Sequence, residues 1–171
     1  TDELLAEIDQ AKLHTKEAER EVKSREYLVD MLVAGGVNKI DPLSGRVLTL
    51  LEGAGLFVAG GVLIGSHAFN VYGYMLGYKF PLETMRTADI DLSISIGVTK
   101  GTTDLRTAIM ESGLGFFEIP ALDRKSSSTS YKIRDSELKV ELLTPLTGRD
   151  TSKPIYMQSL KSYASPLRFL D

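Results

Sequence analysis

The sequence predicts a fold of the α/β (α+β) class, a short mixed sheet with flanking helices preceded by a long N-terminal helix. Three observations carry that expectation. Residues 1–34 contain no proline or glycine and repeat apolar positions at helical spacing. Residues 56–64 form an apolar run that ends in Gly65-Ser66 and passes into a second helical pattern. Residues 88–96 alternate aliphatic and polar side chains without a break, the period of a half-buried strand.

The elements follow in order. In the first segment Leu4, Ile8, Ala11, Thr15, Ala18, Val22, Arg25, Val29 and Leu32 recur at alternating spacings of four and three, the seam of a helix. Glu19 with Lys23 and Glu21 with Arg25 add i,i+4 pairs in the favoured orientation. Ala, Thr and Arg on the seam make a weak coiled coil. Residues 1–36 therefore read as a helical arm that packs on its own domain or on a second copy, with a dedicated partner-binding coil as the alternative. Gly35-Gly36 ends it.

Residues 41–171 read as the core domain. Asp41-Pro42 is a helix start, an acidic N-cap followed by proline at the first helical position, and Leu43, Val47, Leu50 and Leu51 supply the apolar face up to Gly53. Residues 56–64 are expected as a short buried strand, and Ala68, Val71, Tyr72 and Met75 place a helix after the Gly-Ser turn. On the strand at 88–96, Ala88, Ile90, Leu92, Ile94 and Ile96 take one face, and Thr87, Asp89, Asp91, Ser93 and Ser95 the other. Thr102 or Thr103 caps a helix running through Leu105, Ile109 and Met110 to Gly113, and 116–119 is a short strand. Residues 129–134 and 138–143 form a hairpin around Asp135-Ser136-Glu137. The tail carries Leu160, Tyr163, Leu167, Phe169 and Leu170, apolar residues that call for a further packing partner. With a first residue other than methionine, this suggests a core truncated at its C-terminus.

Composition narrows the function classes. The 171 residues are 43% hydrophobic and 25% charged, enough to bury a core, and carry no cysteine, which removes disulfides, thiolate metal sites and thiol nucleophiles. The absence of cysteine fits a reducing compartment, so the cytoplasm is the expected location. No apolar run approaches the roughly 20 residues of a membrane span. A net charge of −3 speaks against a large nucleic-acid footprint, and His14 and His67 are too few for a histidine-rich zinc site. Gly53-Ala54-Gly55 lacks the third glycine of a dinucleotide fingerprint, and no glycine run leads into a P-loop lysine.

What remains is a site for a phosphate and a cation. A Gly-Ser turn opening a helix can cradle phosphate on backbone N–H groups. Asp89 and Asp91 lie on one face of one strand, about 7 Å apart at the backbone, where they can share a divalent cation. Glu141, central in Lys139-Val140-Glu141-Leu142-Leu143, projects onto the same face if the hairpin strand lies beside the Asp strand. Three such acids can hold two cations that clamp an in-line phosphoryl displacement. Aspartates on strands often merely face water, and Gly65 and Ser66 taken alone could be a turn glycine and a helix cap. Their combination favours function. Lys125 and Ser126, in the basic hydroxyl-rich stretch Arg124-Lys125-Ser126-Ser127-Ser128, can add phosphate contacts, although exposed basic loops are usually only solvated. His67 is either a packing histidine or a group that reaches a nucleotide, and Arg86 screens the repulsion between the acids.

The order Gly-Ser, helix, Asp-x-Asp strand and later acidic strand resembles the nucleotidyltransferase superfamily that shares the polymerase beta palm. More closely, Ile64-Gly65-Ser66-His67-Ala68-Phe69-Asn70-Val71-Tyr72, Thr87-Ala88-Asp89-Ile90-Asp91 and the stretch from Arg124-Lys125-Ser126 to Leu143 resemble a bacterial nucleotidyltransferase-like family. The resemblance implies transfer of a nucleoside monophosphate from an NTP such as ATP to a hydroxyl acceptor on a protein, an RNA or a small molecule. It implies Mg²⁺ (or Mn²⁺) on Asp89, Asp91 and Glu141, and the triphosphate on Gly65 and Ser66. The alternative is a non-catalytic module of the same fold, regulatory or one half of a toxin–antitoxin pair. The gap from Ser66 to Asp89 is longer than in compact members, so residues 78–86 read as an extra loop at the cleft mouth.

Overall fold

In a computed structural model of the chain, the described residues are 2–37, 39–78, 89–94, 103–121, 126–146 and 153–168, without the side chains of 2–9 and of Ala11. The chain divides into two compact units, Thr1–Lys39 and Ile40–Asp171. The first is the helix α1 (Asp2–Ala34), closed by Gly36 at a positive φ of 92° and by the Val37 N–H donating to Leu32 O. Glu21 and Arg25 pair at 3.3 Å along it, and Lys39 reaches back to Asp30 at 3.6 Å.

The second unit is a mixed α/β structure around a seven-stranded sheet. Its elements are α2 (Pro42–Gly53), β1 (Gly61–Ile64), α3 (Gly65–Met75), β2 (Asp89–Ile94), α4 (Leu105–Met110), β3 (Phe116–Glu118), β4 (Ser130–Ile133), β5 (Lys139–Pro145), β6 (Ile155–Met157) and β7 (Ser162–Leu167). The sheet runs β1-β2-β5-β4-β3, with β2 and β5 parallel and β1 antiparallel to β2. One edge of β5 is shared in two halves: β4 pairs with residues 139–141 and β7 with 143–145, and β6 adds to β7. Among the described residues no helix is long and apolar enough to cross a membrane.

Alternation makes one face of this sheet the core. Ile90, Leu92 and Ile94 on β2 and Val140 and Leu142 on β5 are fully buried, and Val47 and Leu51 of α2 and Leu105 and Ile109 of α4 join them in the same cluster. The other face carries every polar residue of β2 and the odd-numbered residues of β5.

Several expectations need correction. The strand expected at 56–64 begins only at Gly61. Gly55 and Gly60 take positive φ values of 77° and 90°, and the turn bonds Ala59 N–H to Gly55 O and Gly60 N–H to Phe57 O keep 55–60 coiled, which leaves Val58 exposed. The cap of α4 is Asp104, accepting from the Thr107 amide at 3.0 Å. The Thr103 hydroxyl instead donates to Ala54 O, and the helix stops at Met110, short of Gly113. The tail contains two unforeseen strands, and its Met157, Leu160 and Ala164 are buried in the chain's own core. The hairpin turn is as expected, with Asp135 in the left-handed region at φ 56°. The expected loop at 78–86 lies, past Tyr78, outside the described residues.

Candidate active site

The two acids of the β2 strand meet Glu141 because of the strand register. Asp91 lies opposite Ile64 of β1 on one side and opposite Glu141 of β5 on the other, and Glu141 lies opposite Ser130 of β4. Residues in register on neighbouring strands point to the same face. Ile64, Asp91, Glu141 and Ser130 therefore form one transverse row on the polar face. The next row is Asp89, Lys139, Lys132 and Phe117. Three carboxylates thus occupy two adjacent rows of two adjacent strands, the shared face that the period-2 pattern requires.

Gly65 brings the Gly-Ser turn to the same place. It follows Ile64 at the head of α3 with φ 67°, a conformation that L side chains rarely adopt. A Cβ built on it would run into Oδ2 of Asp91, so only glycine lets the start of α3 lie against that carboxylate. Helix α2 is capped by Asp41, whose Oδ1 accepts from Leu43 N–H at 3.1 Å and Ser44 N–H at 2.9 Å. Helix α3 has Ile64 at the cap position and no side-chain cap bond. The positive end of this helix lies beside the acidic row. Ser66 is the second residue of α3 and half-buried.

The electrostatics follow from this crowding. Burial pushes the Asp91 carboxyl above the usual carboxylate range, the Glu141 and Asp89 charges push further, and Lys139 and His67 pull partly back. Lys139, two residues before Glu141, places Nζ 2.8 Å from Glu141 Oε1 and 3.8 Å from Asp89 Oδ2. That hydrogen bond to Glu141 raises the lysine's affinity for its proton, with the three acids adding to it against a desolvation cost. Lys139 is not among the residues expected from the sequence, although its odd number in the β5 alternation already places it on the acid face. His67 is buried on α3, and its Nε2 has no hydrogen-bond partner among the described residues. Burial lowers its pKa, against the pull of the Asp41 and Asp91 charges.

Three carboxylates on one face are a set of hard oxygen donors that suits a divalent ion such as Mg²⁺. Yet among the described residues no three acidic or histidine side chains already surround a common point. The donor set and register fit such an ion, while the cage is not preformed.

Lys125, Arg124 and Arg86 lie outside the described residues, and Ser126 is half-buried in the segment before β4. Ser127 and Ser128 line a cavity of about 230 Å³ with Arg106, Glu118, Lys161 and Ser162. Tyr131, which also lines it, is in register with core-facing Val140, so this cavity opens on the opposite side of the sheet.

The family model described as nucleotidyltransferase matches residues 43–171, and the chain belongs to that family. A search of curated proteins gave no match, nor did a search of solved structures.

Proposed function

We propose that the protein is a metal-dependent enzyme that transfers a nucleoside monophosphate from an NTP to a hydroxyl acceptor. The observation that carries this reading is the register row Ile64, Asp91, Glu141, which sets the Gly65-Ser66 turn and two of the acids side by side. Asp89, Asp91 and Glu141 would hold Mg²⁺ or Mn²⁺, which when bound supplies Lewis acidity at the phosphoryl oxygens and lowers the pKa of the attacking hydroxyl.

The chain's own groups do the rest. The first-turn N–H groups of α3 receive the triphosphate, since the helix end is positive and carries no side-chain cap. Gly65 lets that turn approach Asp91, which positions the phosphates next to the acid row. Asp91, whose ionised form is disfavoured by burial and by the Glu141 and Asp89 charges, gains when a cation offsets those charges.

The test is NMP transfer from α-labelled NTP with Mg²⁺, using the full chain and an acceptor screen. Asp89→Ala and Asp91→Ala should each lower transfer by about 10³-fold or more. Full activity in either variant would remove that residue from the site. The non-catalytic alternative predicts that neither Mn²⁺ nor any NTP raises the melting temperature at saturation, because a ligand that binds only the folded state must stabilise it.

A further inference from the structure

The acid face carries a cation whose place is unusual for a metal site. Lys139 opens β5 directly opposite Asp89, and Glu141 follows two residues later, so all three side chains share the face. Its side chain is 27% exposed, and its single ammonium spans two of the three carboxylates, at 2.8 Å from Glu141 Oε1 and 3.8 Å from Asp89 Oδ2. Glu141 gives Oε1 to this ammonium, and among the described residues no three acidic or histidine side chains surround a common point.

We propose that Lys139 is the resident cation of the ion-free site, a positioning residue that holds Asp89 and Glu141 on the shared face and is exchanged for the divalent ion on binding. The inference rests on the reading of Asp89, Asp91 and Glu141 as metal ligands. Three like charges in adjacent rows repel one another, and an ammonium among them offsets that cost when no ion is present. It is a point charge on a flexible four-carbon stem, so it can leave Glu141 without any movement of the backbone. An entering ion must break this pair, which weakens its apparent affinity. Lys132 provides an internal comparison: it lies opposite Lys139 in the same row but pairs with Glu137, at 3.7 Å.

The experiment is Mn²⁺ binding to the full chain, followed by the electron paramagnetic resonance signal of free Mn²⁺ at low ionic strength, together with thermal melts. Lys139→Met should bind Mn²⁺ about tenfold more tightly than the wild type, and should melt lower without metal but not with saturating Mn²⁺. Lys139→Arg, which keeps the charge, and Lys132→Met should stay within about threefold of wild-type affinity. If the wild type binds Mn²⁺ and Lys139→Met binds it no more tightly, the exchange is overturned while the metal reading stands. If neither protein binds Mn²⁺, both fall. A metal-free Lys139→Met that melts with the wild type overturns the holding role.

Discussion

Asp91 and Glu141 stand directly opposite each other on parallel neighbouring strands, each on the polar face of a sheet whose other face is the buried core. Placing two acids side by side costs stability, and the cost falls mainly on Asp91, whose ionised form is disfavoured by burial and then by Glu141 and Asp89. Asp91→Asn removes the charge while keeping the shape. The variant should melt higher than the wild type at neutral pH without metal, and lose nucleotidyl transfer; calorimetry and a transfer assay read the two effects separately.

Gly65→Ala tests the close approach of α3 to the acid row. The left-handed φ costs about 1–2 kcal/mol for an alanine, and the new Cβ must displace the Asp91 carboxylate. Denaturant unfolding should show that loss. Transfer should fall by about 10²-fold, because the carboxylate and the Gly-Ser turn can no longer occupy adjoining positions. Wild-type transfer in this variant would mean that the contact is incidental.

Acid sensitivity should come in part from Asp41. Burial would raise its pKa, but the Ser44 and Leu43 amides that donate to it hold it below the usual carboxylate range. A folded-state value below the unfolded one means that the cap's contribution is present above about pH 4 and lost as pH falls through the lower folded value. Asp41→Ala should cost about 1 kcal/mol at pH 7 and less at pH 3. Asp41→Asn should retain most of the cap and show a shallower acid transition.

The core side of the same strand should respond differently. Leu92 is fully buried between Asp91 and Ser93. Leu92→Ala should cost about 2–5 kcal/mol in unfolding free energy, through lost burial and a cavity. At temperatures where the variant stays folded, its Mn²⁺ affinity should remain within about threefold of the wild type, since the polar face is untouched.

These results bear on how much of the molecule can be read from its residues. Asp89, Asp91 and the buried Ile90, Leu92 and Ile94 were legible because a strand sorts its side chains with period two, and the Asp41-Pro42 start because capping is local chemistry. Glu141 was placed by the same alternation, and Lys139 could have been. The region before Gly61 was not legible. Phe57-Val58-Ala59 has the composition of a strand, and only the positive φ of Gly55 and Gly60 turns it into a coil. The tail was missed for the opposite reason: Pro166 sits inside β7, where an edge position tolerates a residue without an N–H. Long-range pairing to Leu143 and Thr144 makes that segment a strand, and no local pattern contains it.

The central claim is that the acid row is a nucleotidyl-transfer site, and the most direct measurement is release of pyrophosphate from α-labelled NTP with label transfer to an acceptor, in the wild type and in Glu141→Gln. The account predicts Mg²⁺-dependent transfer by the wild type and a loss of about 10²-fold or more in Glu141→Gln, with the variant still folded. Equal transfer by the two proteins, or transfer that persists in excess chelator, would contradict it.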